Sequence, residues 1–155
     1  SITNKTYNSG YKLSQHTFYS PYTRLYQNTN KTATLKCSSD MRDQFSTTSS
    51  YGNGQLTYPV ALITADEVAL AGGKYNVKNE KYYLCSNASA WTMTPFRFET
   101  DNVYAYNLFI NKNGSLFTNG VISSHALRSV INIRSDALIS SGDGTIENPY
   151  MLKLK

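Results

Sequence analysis

The sequence predicts an α+β domain that is mainly antiparallel β-sheet with one or two short helices. Three observations indicate this class: short runs that alternate apolar and polar residues, turn signals rich in Gly and Asn between them, and one segment with the capping residues of a helix. At 155 residues the chain can bury a core of its own. We therefore expect a single domain over residues 1–155, with residues 1–10 as a candidate flexible tail.

The first fifty residues are dominated by Ser, Thr, Asn and Tyr, with short alternating pieces at residues 11–13 and 32–37. We expect two or three short strands there, joined by long polar loops. The glycines of residues 51–54 mark a turn, and an apolar run led through Pro59 follows over residues 56–63.

The clearest helix is predicted over residues 64–73. Thr64 suits the N-cap, and Glu67 three positions later completes a capping box, in which each residue's side chain accepts from the other's backbone N–H. Asp66 and Glu67 place negative charge in the first turn, where the helix dipole favours it. Gly72 can adopt the left-handed conformation that ends a helix. The segment allows about two turns.

The second half of the chain reads as β-structure. We expect strands over residues 81–85 and 103–110, and then an Asn113-Gly114 turn, which is a strong hairpin signal because both positions tolerate positive φ. Further strands are predicted at residues 115–117, 127–133, 137–140 and 150–154, with a Gly142-Asp143-Gly144 turn before the last.

The composition indicates a contact surface that is polar but weakly charged. Asn, Ser, Thr and Tyr supply 62 of the 155 residues, and only 16% are charged. Tyr offers a stiff amphipathic face and Asn and Ser offer adaptable hydrogen bonds, although β-rich proteins are also Tyr- and Thr-rich for structural reasons. The formal charge of +5 comes from scattered Lys and Arg, which does not favour a nucleic-acid partner. No apolar run is long enough for membrane insertion.

Cys37 and Cys85 are the two cysteines of the chain, 48 positions apart and without the spacing of a zinc site. One long-range disulfide and two buried free thiols are both compatible with this pattern. Loop-closure entropy would give such a bridge about 3 to 4 kcal/mol.

The residues that carry catalysis in known enzymes are sparse. His16 and His125 are far apart in sequence, and no phosphate-binding loop, dinucleotide fingerprint, nucleophile elbow or zinc-protease motif occurs. Asp66 and Glu67 are explained by capping, and Asp143 by its turn. We therefore expect no enzyme, metal site or cofactor. If the domain were catalytic, the polar residues to test would be Asp66, Glu67, His125 and Arg128.

One segment has the density of aromatic and Arg side chains that is typical of binding hot spots. Its aromatic residues are Trp91, Phe96, Phe98, Tyr104, Tyr106 and Phe109. The alternative is that alternate residues line the core, with Trp91 and Phe109 buried and Tyr104, Tyr106 and Asn107 exposed. The predicted ligand-binding residues are Arg97, Asn102, Tyr104, Tyr106 and Asn107.

Four segments together resemble a domain of unknown function that is common in gut Firmicutes and their phages, where it is attached to surface proteins, including pilin-like ones. They lie at residues 52–72 (containing YPVALITADEVALAG), 91–95 (WTMTP), 127–133 (LRSVINI) and 141–150 (SGDGTIENPY). Ser129 stands where the family usually has proline. The resemblance covers about residues 37–153.

A more distant similarity, in residues 58–72 and a late Arg-containing strand, is to the C-type lectin-like fold of formylglycine-generating-enzyme relatives. That group includes the ligand-binding variable proteins of diversity-generating retroelements. The catalytic cysteine pair and the iron-binding histidine pattern of its enzymes have no counterpart here, nor does the Trp-Asn-Asp calcium motif of sugar-binding C-type lectins.

These resemblances imply a C-type lectin-like adhesin or receptor-binding domain. We expect it outside the cell, on a bacterial or virion surface, with a protein or glycan on another cell surface as its partner. The alternative is a pilin-like subunit that assembles into a homo-oligomer or surface fibre.

Overall fold

The computed structural model describes residues 16–19, 21–27, 32–36, 48, 55–99, 104–133, 136–145 and 147–153. Its strands are β1 His16–Phe18, β2 Val60–Leu62, β3 Ala90–Glu99, β4 Tyr104–Ile110, β5 Leu116–Gly120, β6 Ser129–Ile131, β7 Leu138–Ser141 and β8 Met151–Lys153. A π-helix spans Tyr22–Gln27, and an α-helix, α1, spans Ala65–Leu70. Paired strands run antiparallel, so the predicted α+β class is confirmed.

The central element is a four-stranded sheet in the order β1-β3-β4-β5. Strands β3 and β4 are its two longest strands, and β5 pairs with β4 from Tyr106↔Gly120 to Ile110↔Leu116. Two smaller sheets, β2-β6 and β7-β8, have two strands each. The late strands predicted near residues 127–133, 137–140 and 150–154 therefore form: β6 and β8 are shorter than predicted, and β7 is shifted by one residue.

Helix α1 is built as its sequence predicts. The Thr64 hydroxyl accepts the backbone N–H of Glu67 at 3.1 Å, and the Glu67 carboxylate accepts the Thr64 N–H at 2.8 Å. At the other end Gly72 has φ +109°, and the N–H of Gly73 reaches the carbonyl of Val68 at 2.9 Å. These hydrogen bonds provide partners for backbone N–H groups at the start of the helix and for a backbone carbonyl at its end.

The hydrophobic core lies between α1 and one face of the central sheet. Alternate β4 residues Leu108 and Ile110 point into it and are almost fully buried, as are Leu116 of β5 and Val68 of α1. Phe109, which points the other way, is also buried, so the sheet carries apolar side chains on both faces.

The β4–β5 connection lies where Asn113-Gly114 predicts it, with a different turn type. Gly114 has φ +77°, but no described non-Gly residue other than Asn76 has positive φ. The Gly114 N–H binds the Asn111 carbonyl at 2.8 Å, and the Asn111 N–H binds the Ser115 carbonyl at 2.8 Å. The connection therefore needs one left-handed residue, and not the two that a type I′ turn requires.

The prediction of a strand at residues 81–85 is wrong. Residues 80–84 form consecutive turns, in which the N–H of Tyr82 binds the Asn79 carbonyl at 3.1 Å and the N–H of Cys85 binds the Tyr82 carbonyl at 2.7 Å. Tyr82 is buried in the core and Tyr83 is exposed, an alternation that a strand would share. The alternation of buried and exposed side chains is therefore produced here by turns and not by a strand.

Residues 32–36 also contain no strand. The N–H of Thr34 donates to the Asp66 carboxylate at 2.9 Å, and the Thr34 hydroxyl accepts the N–H of Lys36 at 3.0 Å. Side-chain oxygens therefore accept hydrogen bonds from backbone N–H groups that would otherwise pair in a sheet. The pieces at residues 11–13 and 51–54, the tail at residues 1–10, Cys37 and Asn102 lie outside the described residues.

Candidate ligand-binding surface

Arg97 and Tyr106 lie opposite each other on β3 and β4. The register shifts between Pro95 and Arg97, so that Phe96 is an extra residue of β3, and this bulge turns Arg97 toward the face that Tyr106 occupies. The guanidinium carbon of Arg97 lies 4.2 Å from the centroid of the Tyr106 ring. This is the geometry of a cation–π contact, which fixes the orientation of the guanidinium.

Glu99 and Tyr104 complete a group that we call the Arg97 cluster, made of Arg97, Glu99, Tyr104 and Tyr106. A Glu99 carboxylate oxygen lies 2.7 Å from Nη2 of Arg97, and the Tyr106 hydroxyl donates to the other oxygen at 3.5 Å. The Tyr104 and Tyr106 rings are 5.5 Å apart. Glu99 is buried, whereas 29% of the Arg97 side chain is exposed, so the guanidinium is the more accessible group of the pair.

The glycine at position 120 leaves space for Tyr104. A Cβ atom at Gly120 would lie 2.3 Å from Cε1 of Tyr104, too close for real atoms. The ring therefore lies directly against the β5 backbone. Strands β3 and β4 supply the residues of the cluster and β5 lies against it at Gly120, so the cluster is carried by strands and not by a loop.

An aromatic band, defined as Tyr26, Tyr75, Phe96 and Phe117, adjoins the Arg97 cluster. Tyr75 stacks on Phe96 at 6.0 Å and on Phe117 at 5.5 Å, and Tyr26 meets Tyr75 edge-on at 4.7 Å. Arg97 lies 5.9 Å from the Phe96 ring, which joins the two groups. Tyr26 is 42% exposed and Phe117 is 36% exposed. Burial raises the pKa of the Tyr75 hydroxyl, which lies 3.3 Å from that of Thr118.

The π-helix that carries Tyr26 is held in place by a salt bridge. Arg24 donates from Nε to the Asp66 carboxylate at 3.1 Å and makes a second contact through Nη2. Asp66 is 2% exposed and lies in the first turn of α1. This contact joins two segments 42 positions apart in sequence, and π-helical turns are often found at functional sites.

The structure brings together three of the five predicted ligand-binding residues: Arg97, Tyr104 and Tyr106. Asn107 lies on the opposite face of β4, where its amide donates to the Thr92 carbonyl at 2.6 Å. Asn102 lies outside the described residues. Tyr104, Tyr106 and Asn107 are half-buried, whereas we expected them to be exposed. Their neighbours on three strands cover part of each side chain.

The opposite face of the sheet carries a second aromatic group. The His125 ring stacks on Phe109 at 4.3 Å and meets Trp91 edge-on at 4.5 Å. Asn119 accepts the N–H of Gly120 through its side-chain oxygen at 2.9 Å, so its amide nitrogen faces Nε2 of His125 at 3.2 Å. Nε2 must then be the acceptor of a neutral ring, and desolvation lowers the pKa of His125.

The four residues considered for catalysis each have a structural partner. Asp66 binds Arg24, Glu67 caps α1, and His125 packs between aromatic rings. The Arg128 guanidinium donates to the Leu84 carbonyl and to the Ser86 hydroxyl, which ties two loops together. Within the described residues, no three His, Cys, Asp or Glu side chains come close enough to hold a metal ion.

The Sγ atom of Cys85 lies 3.1 Å from the carbonyl oxygen of Lys112. Since Cys37 lies outside the described residues, the disulfide between the two stays a prediction.

The sequence prediction missed Glu99, Tyr26 and Tyr75. Glu99 could have been found, because residues two apart on a strand share a face and Arg97 was already a candidate. Tyr26 and Tyr75 come from a π-helix and from an irregular segment that bridges to Leu116. No local sequence pattern indicates that these distant segments pack together.

Comparisons with known protein families, with curated proteins and with solved structures find no match. Among the described helices, none is long and apolar enough to cross a membrane.

Proposed function

We propose that this chain is a non-catalytic binding domain that recognises a protein or glycan through the Arg97 cluster and the aromatic band. The observation that carries the proposal is the partly exposed Arg97 guanidinium, held between Tyr106 and Glu99 next to Tyr104. Arg and Tyr are the side chains that dominate binding energies at protein surfaces.

The rigidity of this surface supports a binding role. Arg97 and its ring neighbours are already in contact before a ligand arrives, so that little side-chain entropy is lost on binding. Tyr also contributes a large contact area with few rotatable bonds. A surface of this kind binds by complementarity and needs no reacting group.

The sequence resemblances support the location and the finer fold. We place the domain outside the cell, on a bacterial or virion surface, as in the family whose segments it resembles. Its short capped helix packed on an antiparallel sheet is compatible with a C-type lectin-like arrangement. Fold alone does not define a ligand, so the proposal depends on the residues of the surface.

The experiment is a binding screen of the domain against glycan and host-surface protein arrays, with and without calcium. Each hit is tested with the double variant Tyr104→Ala/Tyr106→Ala and with Tyr58→Ala, a matched control at a tyrosine that is 73% exposed and outside the cluster. We expect the double variant to lose binding and the control to keep it, with both folded by circular dichroism. Equal binding by both variants would overturn the proposal.

A second candidate function, a structural subunit that assembles with copies of itself, is favoured by the β7-β8 ribbon. Both strands are exposed throughout, and they carry Leu138, Ile139, Met151 and Leu152, each more than 40% exposed. An isolated two-stranded ribbon is marginally stable in water, so contact with a second copy would stabilise it.

This candidate is tested by light scattering after size-exclusion chromatography. Ile139 and Leu152 are partners across the ribbon, so the variant Ile139→Ser/Leu152→Ser removes one apolar cross-strand pair. Assembly predicts an oligomer in the native protein and a monomer in this variant. A native protein that is monomeric at all concentrations tested contradicts it.

A further inference from the structure

We propose that the ligand is a chain of N-acetylated amino sugars, with one acetamido methyl group seated in a cavity beside Tyr75. This inference rests on the proposed binding function and names its ligand class. The cavity, the exposed rings that flank Tyr75 and the Arg97–Glu99 pair each match one part of such a sugar.

The cavity has a volume of about 60 Å³ and is lined by Leu25, Ala69, Gly73, Lys74, Tyr75 and Leu116. A water molecule needs only about 10–15 Å³ measured in the same way, so the cavity has room for a small group. Leu25 and Leu116 are buried, and Lys74 is exposed, so the cavity has an apolar floor and an entrance at the surface. A methyl group fits an apolar floor of this size.

Aromatic rings flank the cavity through Tyr75, which both lines it and belongs to the aromatic band. Phe117 and Tyr26 are the more exposed rings of the band, at 36% and 42%. A pyranose has an apolar face of C–H groups and a rim of hydroxyls, so it can lie against such rings while its hydroxyls meet polar groups. The hydroxyls of Tyr75 and Thr118 lie at this place.

The Arg97–Glu99 ion pair favours an uncharged ligand. Nη2 of Arg97 lies 2.7 Å from a carboxylate oxygen of Glu99, so the positive and negative charges of the pair offset each other. The guanidinium still presents N–H donors in a fixed orientation. Sugar hydroxyls both donate and accept hydrogen bonds, so they suit a surface that combines Arg with the hydroxyls of Tyr104 and Tyr106. A strongly anionic ligand would gain less here, because Glu99 opposes it.

An extended peptide is a weaker fit, because the backbone of Leu116, where β5 borders the cavity, is already occupied. The N–H of Leu116 binds the Lys74 carbonyl at 3.0 Å, and the Leu116 carbonyl accepts the N–H of Asn76 at 2.9 Å. A peptide that adds to a sheet needs such backbone groups to be open. Recognition beside the cavity must therefore use side chains.

The test compares two probes that differ at one substituent. Tetra-N-acetylchitotetraose, referred to below as chitotetraose, carries an acetamido group at C2 of each sugar, and cellotetraose carries a hydroxyl there. We expect chitotetraose to bind at least about tenfold more tightly by isothermal titration, because one apolar group in a fitting pocket contributes about that factor or more. Saturation-transfer NMR on the unmodified protein should give the strongest transfer at the acetamido methyl protons.

Two variants test whether the cavity causes the preference for chitotetraose over cellotetraose. Ala69→Leu fills the cavity and should bring the affinity ratio of the two probes close to one, whereas Leu70→Ala, at an exposed position of the same helix, should leave it unchanged. Equal affinities of the unmodified protein, or a ratio that survives in folded Ala69→Leu, overturn the inference. If neither probe binds but the arrays give another ligand that needs Tyr104 and Tyr106, this inference fails and the proposed function stands.

Discussion

Arg97 shows how one side chain acquires a fixed orientation from its surroundings. Tyr106 lies against the guanidinium, and Glu99 anchors one edge of it. The bulge at Phe96 is what aims Arg97 at that face, because a regular strand would alternate it to the other side. The exposed edge of the guanidinium is therefore presented in a defined direction.

His125 shows the converse case, a titratable side chain fixed by neutral partners. Its folded-state pKa lies below the ordinary value of 6.5, because desolvation disfavours the charged ring. As the pH falls through 6.5, the unfolded chain takes up a proton before the folded chain does, and stability is lost. The contribution of His125 is present in full above that pH.

We therefore expect the free energy of unfolding, measured with urea, to be lower at about pH 5.5 than at about pH 7.5. The variant His125→Phe keeps a ring next to Phe109 and removes the titration, so its pH dependence in this window should be smaller. An identical pH dependence in both proteins would show that His125 is not the responsible group.

At the scale of elements, local patterns could be predicted from the sequence and long-range ones could not. Helix α1, with its capping box and Gly72, was predicted because all of its signals lie within nine residues. The strand predicted at residues 81–85 does not form, and the Leu84 carbonyl that a strand would use accepts a hydrogen bond from Arg128, which is remote in sequence. The π-helix also depends on Asp66, 42 positions away from Arg24.

The capping box gives a prediction for α1. Thr64→Ala removes the hydroxyl that accepts the Glu67 N–H, and should lower the free energy of unfolding by about 1 kcal/mol. Thr64→Ser keeps the acceptor and should lose much less. Urea unfolding measures both, and an equal loss in the two variants would exclude capping as the cause.

The salt bridge between Arg24 and Asp66 gives a larger effect. Asp66→Asn removes the carboxylate charge that Arg24, only 18% exposed, contacts through Nε and Nη2, and should cost about 3 kcal/mol of stability. The control is Glu80→Gln in the exposed pair of Lys78 and Glu80, where no measurable change is expected. A loss in Asp66→Asn no greater than in the control would mean that the π-helix is held by other contacts.

At the scale of the whole molecule, three of the five predicted binding residues gather on one face, and Tyr26, Tyr75 and Phe96 of the aromatic band adjoin them. Phe117, the fourth ring of the band, is the partner of Phe109 and belongs to the other face of the sheet. A dense aromatic and Arg pattern made Arg97, Tyr104 and Tyr106 predictable. Tyr26 and Tyr75 were not, because only the folded chain brings them to Phe96. The ribbon of β7 and β8 is a separate surface, and it is the one that the assembly function would use.

The proposed binding surface can be tested by mapping a bound ligand onto the protein through amide chemical-shift changes in ¹⁵N-labelled protein. With the ligand identified on the arrays, we expect the largest changes at Arg97, Glu99, Tyr104 and Tyr106, extending to Tyr75. Changes confined to β7 and β8, or to the face of Trp91 and His125, would contradict the proposal.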